Sequence, residues 1–384
     1  MYKKTYSRRP PQRRSFGHRI DVSRFINKAV ITEEVAVFTP EHKFTDFQID
    51  ERLKANIITK GYINPTPIQD RSIPHILKGE DVVGIANTGT GKTAAFLIPL
   101  IDKILKNPNQ KVLIVVPTRE LAIQIDQEFR AFVPKLSLFS VCCVGGAPIY
   151  RQISELRRLH HVLIGTPGRL KDLMEQKYIH LDRYSAVVLD EADRMLDMGF
   201  IADIRFMVSK LPAVHQTLFF SATMSTEIKN LIGEFLKNPT SISVKTGDTS
   251  KSVDQDVVRV TGAKTKIDTL IDLLKQTGFD KVLIFGRTKH GVEKLTTLLK
   301  GKGFSAESIH GNKNHGQRQK ALKLFKESHA KILVATDVAA RGLDIAGVSH
   351  VINYELPATY EDYVHRIGRT GRAGKTGRAL TFIE

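Results

Sequence analysis

Short runs of apolar, β-branched residues recur along this chain, each followed by a stretch long enough for an amphipathic helix. Residues 81–86, 111–116, 161–165, 185–189 and 217–220 read as strands, and a second series follows at 281–285, 304–310, 331–336, 350–356 and 378–383. The runs are apolar throughout rather than alternating, as strands buried on both faces should be, and an intervening helix is the crossover that parallel pairing needs. The expected fold is α/β, built from doubly wound parallel sheets.

A polar stretch separates the two series. At 384 residues the chain is too long for one ordinary core, so the reading is a first domain over 44–240, a short linker over 241–255 and a second domain over 256–384, two lobes with a cleft between them. The chain stops just after its last predicted strand, so a covering helix or tail is expected in a longer form. Residues 1–43 carry ten lysines or arginines against four acids. The Arg9–Arg14 part of this stretch lacks any apolar periodicity, and a basic, largely disordered tail is expected.

The net charge of +18 and a pI near 9.8 call for a polyanionic partner, because neutralised phosphates release counterions. Nucleic acid leads; a merely solvated basic surface is the alternative. With 41% hydrophobic and 26% charged residues and no run of about 18 apolar residues, a membrane protein is not expected. The only two cysteines, Cys142 and Cys143, are adjacent, which offers neither a disulfide framework nor metal-ligand spacing. Reduced thiols in a cytoplasmic, monomeric protein with no secretory leader is the expectation.

The strongest motif is the segment from Ala86 to Thr93, Ala-Asn-Thr-Gly-Thr-Gly-Lys-Thr, which follows an apolar strand and opens a helix. This is the setting of a phosphate-binding loop, in which Thr88, Gly89, Thr90 and Gly91 bring backbone N–H groups to phosphate oxygens at a helix N-terminus. Lys92 would reach the β- and γ-phosphates, and Thr93 would hold Mg²⁺. Ala86 stands where the pattern's first glycine belongs. At the carboxyl edge of a later strand come Asp190-Glu191-Ala192-Asp193, where a Mg²⁺-supporting acid and a water-orienting acid are expected; Asp190 takes the first role and Glu191 the second. A second Gly-Lys-Thr, at 374–376, has Arg369 at the first-glycine position and no strand leading in, and reads as a turn.

Together with Ser221-Ala222-Thr223, this order of motifs resembles the DEAD-box RNA helicases of helicase superfamily two, over about residues 44–384. The resemblance implies two RecA-like domains, ATP and Mg²⁺ as cofactors, RNA as partner, and ATP-dependent local unwinding of RNA without strong sequence specificity. It assigns Gln69, in the segment Gly61 to Gln69 that also holds Tyr62, to the adenine edge, and Phe44 to stacking on the adenine face. It places RNA backbone contacts at Pro117, Thr118 and Arg119, at Gly145 and Gly146, and at Thr166, Pro167, Gly168 and Arg169; residue types of this kind fix register without reading bases. Ser221 and Thr223 would link nucleotide to RNA.

In the second lobe, the segments 335–344 and 365–372 complete the pattern. Arginines at three-residue spacing in the segment from His365 to Arg372 concentrate like charge, which calls for an anion. The resemblance makes Arg369 and Arg372 the arginine fingers on the γ-phosphate, joins His365 and Arg366 to the network around Asp190 and Glu191, and puts Gly342 and Asp344 at the nucleotide, Asp344 on the ribose. Arg287, Arg318 and Thr336 fall at RNA-facing positions, although His315 replaces the family's glutamine three residues before Arg318. Two other functions share these motifs: an ATP-dependent RNA clamp or annealing chaperone, and a translocating DNA helicase. Because phosphate loop and fingers lie on different lobes, activity is expected only when the lobes close.

Overall fold

The computed structural model describes residues 21–27, 38–87, 89–244, 253–260, 264–340, 345, 347–371 and 376–383. Two sheets, parallel in every strand pairing, account for both lobes. The first runs β1 (Val82–Ile85), β2 (Lys111–Val115), β3 (Ser140–Cys143), β4 (Val162–Gly165), β5 (Tyr184–Leu189), β6 (Gln216–Ser221) and β7 (Thr240–Ser243) along the chain, in the spatial order β3-β4-β2-β5-β6-β1-β7. The second comprises β8 (Val253–Arg259), β9 (Val282–Gly286), β10 (Ala306–Ile309), β11 (Ile332–Thr336), β12 (His350–Asn353) and β13 (Gly377–Ile383), in the order β10-β11-β9-β12-β13-β8. The expected doubly wound α/β architecture is what forms.

Its central strands are buried on both sides. β1, β4, β9 and β12 have no exposed residue, and helices cover each sheet, with Phe96, Phe129, Phe132 and Phe220 filling one face of the first lobe and Leu163, Leu189 and Met195 the other. In the second lobe Phe285 and Phe325 pack on one face and Val282 and Phe382 on the other. Among the described residues no helix is long and apolar enough to cross a membrane.

Three departures from the sequence reading concern weakly apolar segments. β3 was not expected, because Ser140-Val-Cys-Cys143 sits at the sheet edge and buries only alternate residues. Residues 241–243 and 253–255, expected in the linker, are strand: β7 pairs with β1 through Val82↔Thr240, and β8 pairs with β13 through Gly377↔Val253. Their Ser, Thr and Asp content masks edge strands that bury one face, Ile242 in β7 and Val253 in β8. Within the tail, residues 21–27 are folded against the second lobe, and Glu41 and His42 donate backbone N–H groups to the Asp70 carboxylate at 2.8 and 3.2 Å.

Candidate active site and nucleic-acid interface

The loop after β1 turns sharply into the helix Lys92–Lys106. Gly89 and Gly91 both hold positive φ, 86° and 92°, and a Cβ on Gly91 would collide with the Gln69 amide; only glycine meets both demands. Gln69 explains the crowding. Its Oε1 accepts the Thr66 N–H at 2.9 Å, closing a capping box on the helix Pro67–Lys78, and its Nε2 donates to the Gly91 carbonyl at 3.0 Å. The adenine-reading candidate thus braces the phosphate loop. Thr90 Oγ1 donates to the Asn87 carbonyl at 2.8 Å, and the buried Lys92 ammonium donates to the Ala86 carbonyl at 2.9 Å. Thr88 lies outside the described residues.

Gly89, Gly91, Lys92 and Thr93 line a cavity of about 190 Å³ together with Tyr62, Asp190 and Glu191. Phe44 does not. Its ring is 1% exposed and packs edge-on against Phe47 and Tyr62, at 5.9 and 5.6 Å between centroids. It is a core residue here, with no free face for a base, and Tyr62 is the aromatic at the cavity.

Both acids come from the turn after β5. Asp190 still donates its N–H to Val115 across the sheet at 3.1 Å, and Glu191 then takes a left-handed conformation, φ 53° and ψ 47°, as cap of the helix Ala192–Asp197. Such a conformation is costly for a non-glycine residue and is held where surrounding structure dictates it. Burial pushes the Asp190 carboxyl up to about 6, opposed by Lys92 and reinforced by Glu191. Glu191 Oε2 is buried without a hydrogen bond and faces Arg194 Nε at 3.4 Å.

Two residues that the motif reading left without roles organise this corner. Asp193 Oδ2 accepts the backbone N–H groups of Ala222 and Thr223, both at 3.1 Å, and the Thr223 hydroxyl at 3.2 Å, while Ser221 Oγ donates to the Thr223 carbonyl at 2.8 Å. Arg194, 1% exposed, lines a water-sized cavity of about 10 Å³ whose other walls belong to the second lobe: Phe285, Asp337, Ala340, Asp362, His365, Arg366 and Arg369. Both terminal nitrogens of Arg194 are buried without a hydrogen bond. No sequence signal marks Arg194, which reads as one more helical arginine.

The lobes meet at Arg194, in the helix that follows the acid pair, with one correction to the motif reading. Arg366 is not free to engage the acid pair: its guanidinium grips Asp337 through two bonds of 2.5 and 2.7 Å and donates to Asn353 Oδ1 and the Glu355 carbonyl at 3.1 and 2.7 Å. It shapes the second lobe's wall. His365 and Arg369 line the cavity beside it, and Arg369 is 4% exposed. Arg372, Gly342 and Asp344 lie outside the described residues.

On the adjoining surface, Thr118 caps the helix Arg119–Phe132, its Oγ1 accepting the Leu121 N–H at 3.3 Å, and Pro117 is buried beneath it. Thr166 and Pro167 open the helix Pro167–Glu175, with Gly168 unobstructed and Arg169 donating to the Ala147 carbonyl at 3.2 Å. The Arg119 guanidinium lies against Gly145 and Gly146, and a side chain on Gly146, at φ 74°, would displace it. Burial, then repulsion from Arg318 and Arg169, depresses Arg119, with Glu120 opposing. Thr336 is half-buried at the end of β11, and Arg287 is exposed after β9.

Arg318 needs a second correction. Rather than facing solvent for RNA, it is 8% exposed and forms an ion pair with Glu120 of the first lobe at 2.7 Å, too bent for a good hydrogen bond. Glu120 was not singled out in the sequence because its partner lies almost two hundred residues away.

Fold and site together define a two-lobed nucleoside-triphosphate hydrolase whose phosphate loop and basic wall belong to different lobes. Residues 66–231 match the DEAD/DEAH box helicase family model and residues 265–374 the helicase conserved C-terminal domain. The chain is 47% identical over 341 residues to DEAD-box ATP-dependent RNA helicase CshA of Bacillus licheniformis, covering 88% of this chain and 70% of that protein. Against CshA of Listeria monocytogenes it is 45% identical over 344 residues, covering 89% and 66%. Among solved structures, S. cerevisiae Dbp5 bound to RNA and ADP BeF3 superposes with a TM-score of 0.79 at 29% identity, covering 89% of each chain. Mss116p bound to ssRNA and AMP-PNP gives 0.80 at 30%, covering 90% and 75%. A DEAD box protein from Methanococcus jannaschii gives 0.52 at 38%, covering 89% and 93%. The chain belongs to the DEAD-box ATP-dependent RNA helicases of superfamily two.

Proposed function

We propose that this chain is an ATP-dependent RNA helicase working as a two-lobed clamp, which closes on ATP and RNA together, holds the RNA backbone without reading bases, and reopens on hydrolysis. The observation that carries this is the inter-lobe joint: Arg194 of the first lobe, itself 3.4 Å from Glu191, faces His365, Arg366 and Arg369 of the second across one water-sized cavity, while Glu120 and Arg318 pair across the lobes. The whole-chain superposition supports it. Two relatives bound to RNA and nucleotide fit better than a more identical relative, as a closed lobe arrangement would produce.

Within that clamp, Lys92 and the loop amides of Thr88 to Gly91 bind the phosphates, Gln69 and Tyr62 frame the base, and Gly342 and Asp344 contact the sugar side. Glu191 orients the attacking water, and Arg369 and Arg372 stabilise the charge that develops on the transferred phosphoryl group. Asp193 ties the Ser221–Thr223 loop to the acid helix, so a shift at the nucleotide reaches a loop beside the RNA surface. Arg119, Arg169 and Arg287, with the helix starts at Thr118 and Thr166, take phosphates; the repulsion that Arg119 meets from Arg318 and Arg169 is what a bound polyanion relieves.

Mg²⁺ fits the same corner. Asp190 is a carboxylate that burial pushes up to about 6, and with Thr93 it offers hard oxygen donors. Among the described residues no cluster of three metal-ligating side chains exists, so the ion would arrive with the nucleotide, whose phosphates it would neutralise. We take the working unit to be a monomer, since both halves of the site come from one chain.

The test is steady-state ATPase with no nucleic acid, with single-stranded RNA and with single-stranded DNA of the same sequence. A rise with RNA alone supports the clamp, an equal rise with both moves the assignment to a general nucleic-acid motor, and no rise removes the coupling. Strand displacement of a short duplex separates unwinding from a static clamp.

A further inference from the structure

Residues 21–27 precede the first lobe in sequence, yet they sit on the second. Asn27 and Gln255 exchange backbone hydrogen bonds of 3.0 and 2.7 Å, an antiparallel bridge added to the outer edge of β8, the edge strand of an otherwise parallel sheet. Two residues earlier, Phe25 is 1% exposed. It packs edge-on against Tyr363 at 4.8 Å in a cluster with Val253, Ile367 and Ala379. Tyr363 is held in turn by its hydroxyl, which donates to the Gln255 side chain at 2.9 Å. A single turn of 3-10 helix, Val22–Phe25, capped by Asp21 Oδ1 accepting the Ser23 N–H at 3.0 Å, presents the ring.

Tyr363 and Ile367 lie on one face of the helix Tyr360–Ile367, four residues apart. His365 and Arg366, on the same helix, line the inter-lobe cavity with Arg194. One face thus receives Phe25 while the other lines the inter-lobe cavity.

We propose that the groove between the edge of β8 and the helix Tyr360–Ile367 is a docking site for the chain's own residues 21–27, recognised as a buried phenylalanine followed by an added strand residue. Docking makes residues 21–27 a strap laid on the second lobe. It braces the helix that carries His365 and Arg366. The mode is strand addition with a side-chain anchor, in which backbone bonds give affinity and the pocket gives specificity.

The test uses the full chain with Phe25→Asp, which places a charge in the apolar pocket and leaves the basic residues of the tail in place. Expected are faster hydrogen exchange of amides 360–367 and turnover at saturating RNA lower by up to roughly a hundredfold, the scale of loss from a misplaced catalytic group, with the KM for ATP little changed. Phe25→Leu should restore most of each. A synthetic peptide spanning residues 18–30 should bind the Phe25→Asp chain and reverse its exchange phenotype; the same peptide with its phenylalanine replaced by aspartate should not. Unchanged exchange at 360–367, or no peptide binding, overturns the proposal. The activity arm rests on the clamp reading, but exchange and peptide binding do not, so a chain without RNA-stimulated turnover would sink that reading and leave the strap to be judged on its own. Should Phe25→Asp fail to fold, peptide competition against the tail of the unmodified chain decides the matter.

Discussion

Asp193 and Thr223 are joined by two hydrogen bonds to a single carboxylate oxygen, one from the Thr223 N–H at 3.1 Å and one from its hydroxyl at 3.2 Å. Ala222 adds a third to the same atom. This carboxylate binds the loop after β6 to the helix that follows Asp190 and Glu191, so the nucleotide corner and the loop move as one piece. Asp193→Asn exchanges the charged acceptor for a neutral amide that can turn its donor face to the loop. Stability should fall by about 1–3 kcal/mol, read from urea unfolding, and strand displacement should fall more than ATP turnover. Equal losses in both would mean that the pair only supports the fold.

The Glu120–Arg318 pair is buried and spans the lobes. Breaking a buried pair from one side leaves a lone charge, at a cost of about 3–5 kcal/mol, but here only in the closed state. Glu120→Gln and Arg318→Gln should each weaken RNA binding in the presence of a non-hydrolysable ATP analogue by at least roughly a hundredfold, and leave RNA-free nucleotide binding unchanged. The double variant should recover part of the loss. Additive losses in the cycle would show that the two residues act separately.

Asp190 sets a pH dependence. Its carboxyl moves from 3.8 to about 6 on folding, so the folded protein holds the proton more tightly than the unfolded chain. The ionised form therefore costs stability above about pH 6, and that cost is progressively lost as pH falls toward 4. Asp190→Asn should accordingly melt higher at pH 7, by about 1–3 kcal/mol of stability, while losing Mg²⁺-dependent nucleotide binding. In the unmodified chain, Mg²⁺-dependent affinity should weaken as pH drops below about 6. A flat profile from pH 7.5 to 5 would remove Asp190 from the metal role.

Glu191→Gln keeps the shape of the corner and removes the base. It should retain ATP and RNA binding and lower turnover by about 10²–10⁴-fold, trapping the closed clamp on RNA. Turnover near that of the unmodified chain would take Glu191 out of the water-orienting role.

Much of this was legible in the sequence because its signals are local. An apolar strand, a glycine-rich turn and a helix are contiguous at 82–106, and an acid pair at a strand end needs no distant partner to be recognised. What escaped was set by apposition. Arg318 is committed by Glu120, Arg366 by Asp337, and Phe44 by the rings of Phe47 and Tyr62, none of which a motif displays. Edge strands β3, β7 and β8 escaped because burying one face requires few apolar residues. Phe25 was hidden by the basic tail around it, since one anchoring side chain leaves no periodicity.

The central claim is that the lobes close only when ATP and RNA are both bound. Val214 of the first lobe and Leu298 of the second are 90% and 43% exposed, so cysteines placed there would accept a dye pair. The native thiols should compete poorly, since burial pushes Cys143 up to about 12 and Cys142 higher still. Single-molecule energy transfer between Val214→Cys and Leu298→Cys should show one steady closed population with RNA and a non-hydrolysable ATP analogue together, and a broad, more separated distribution with either alone. A distribution that is the same under all three conditions would contradict the account.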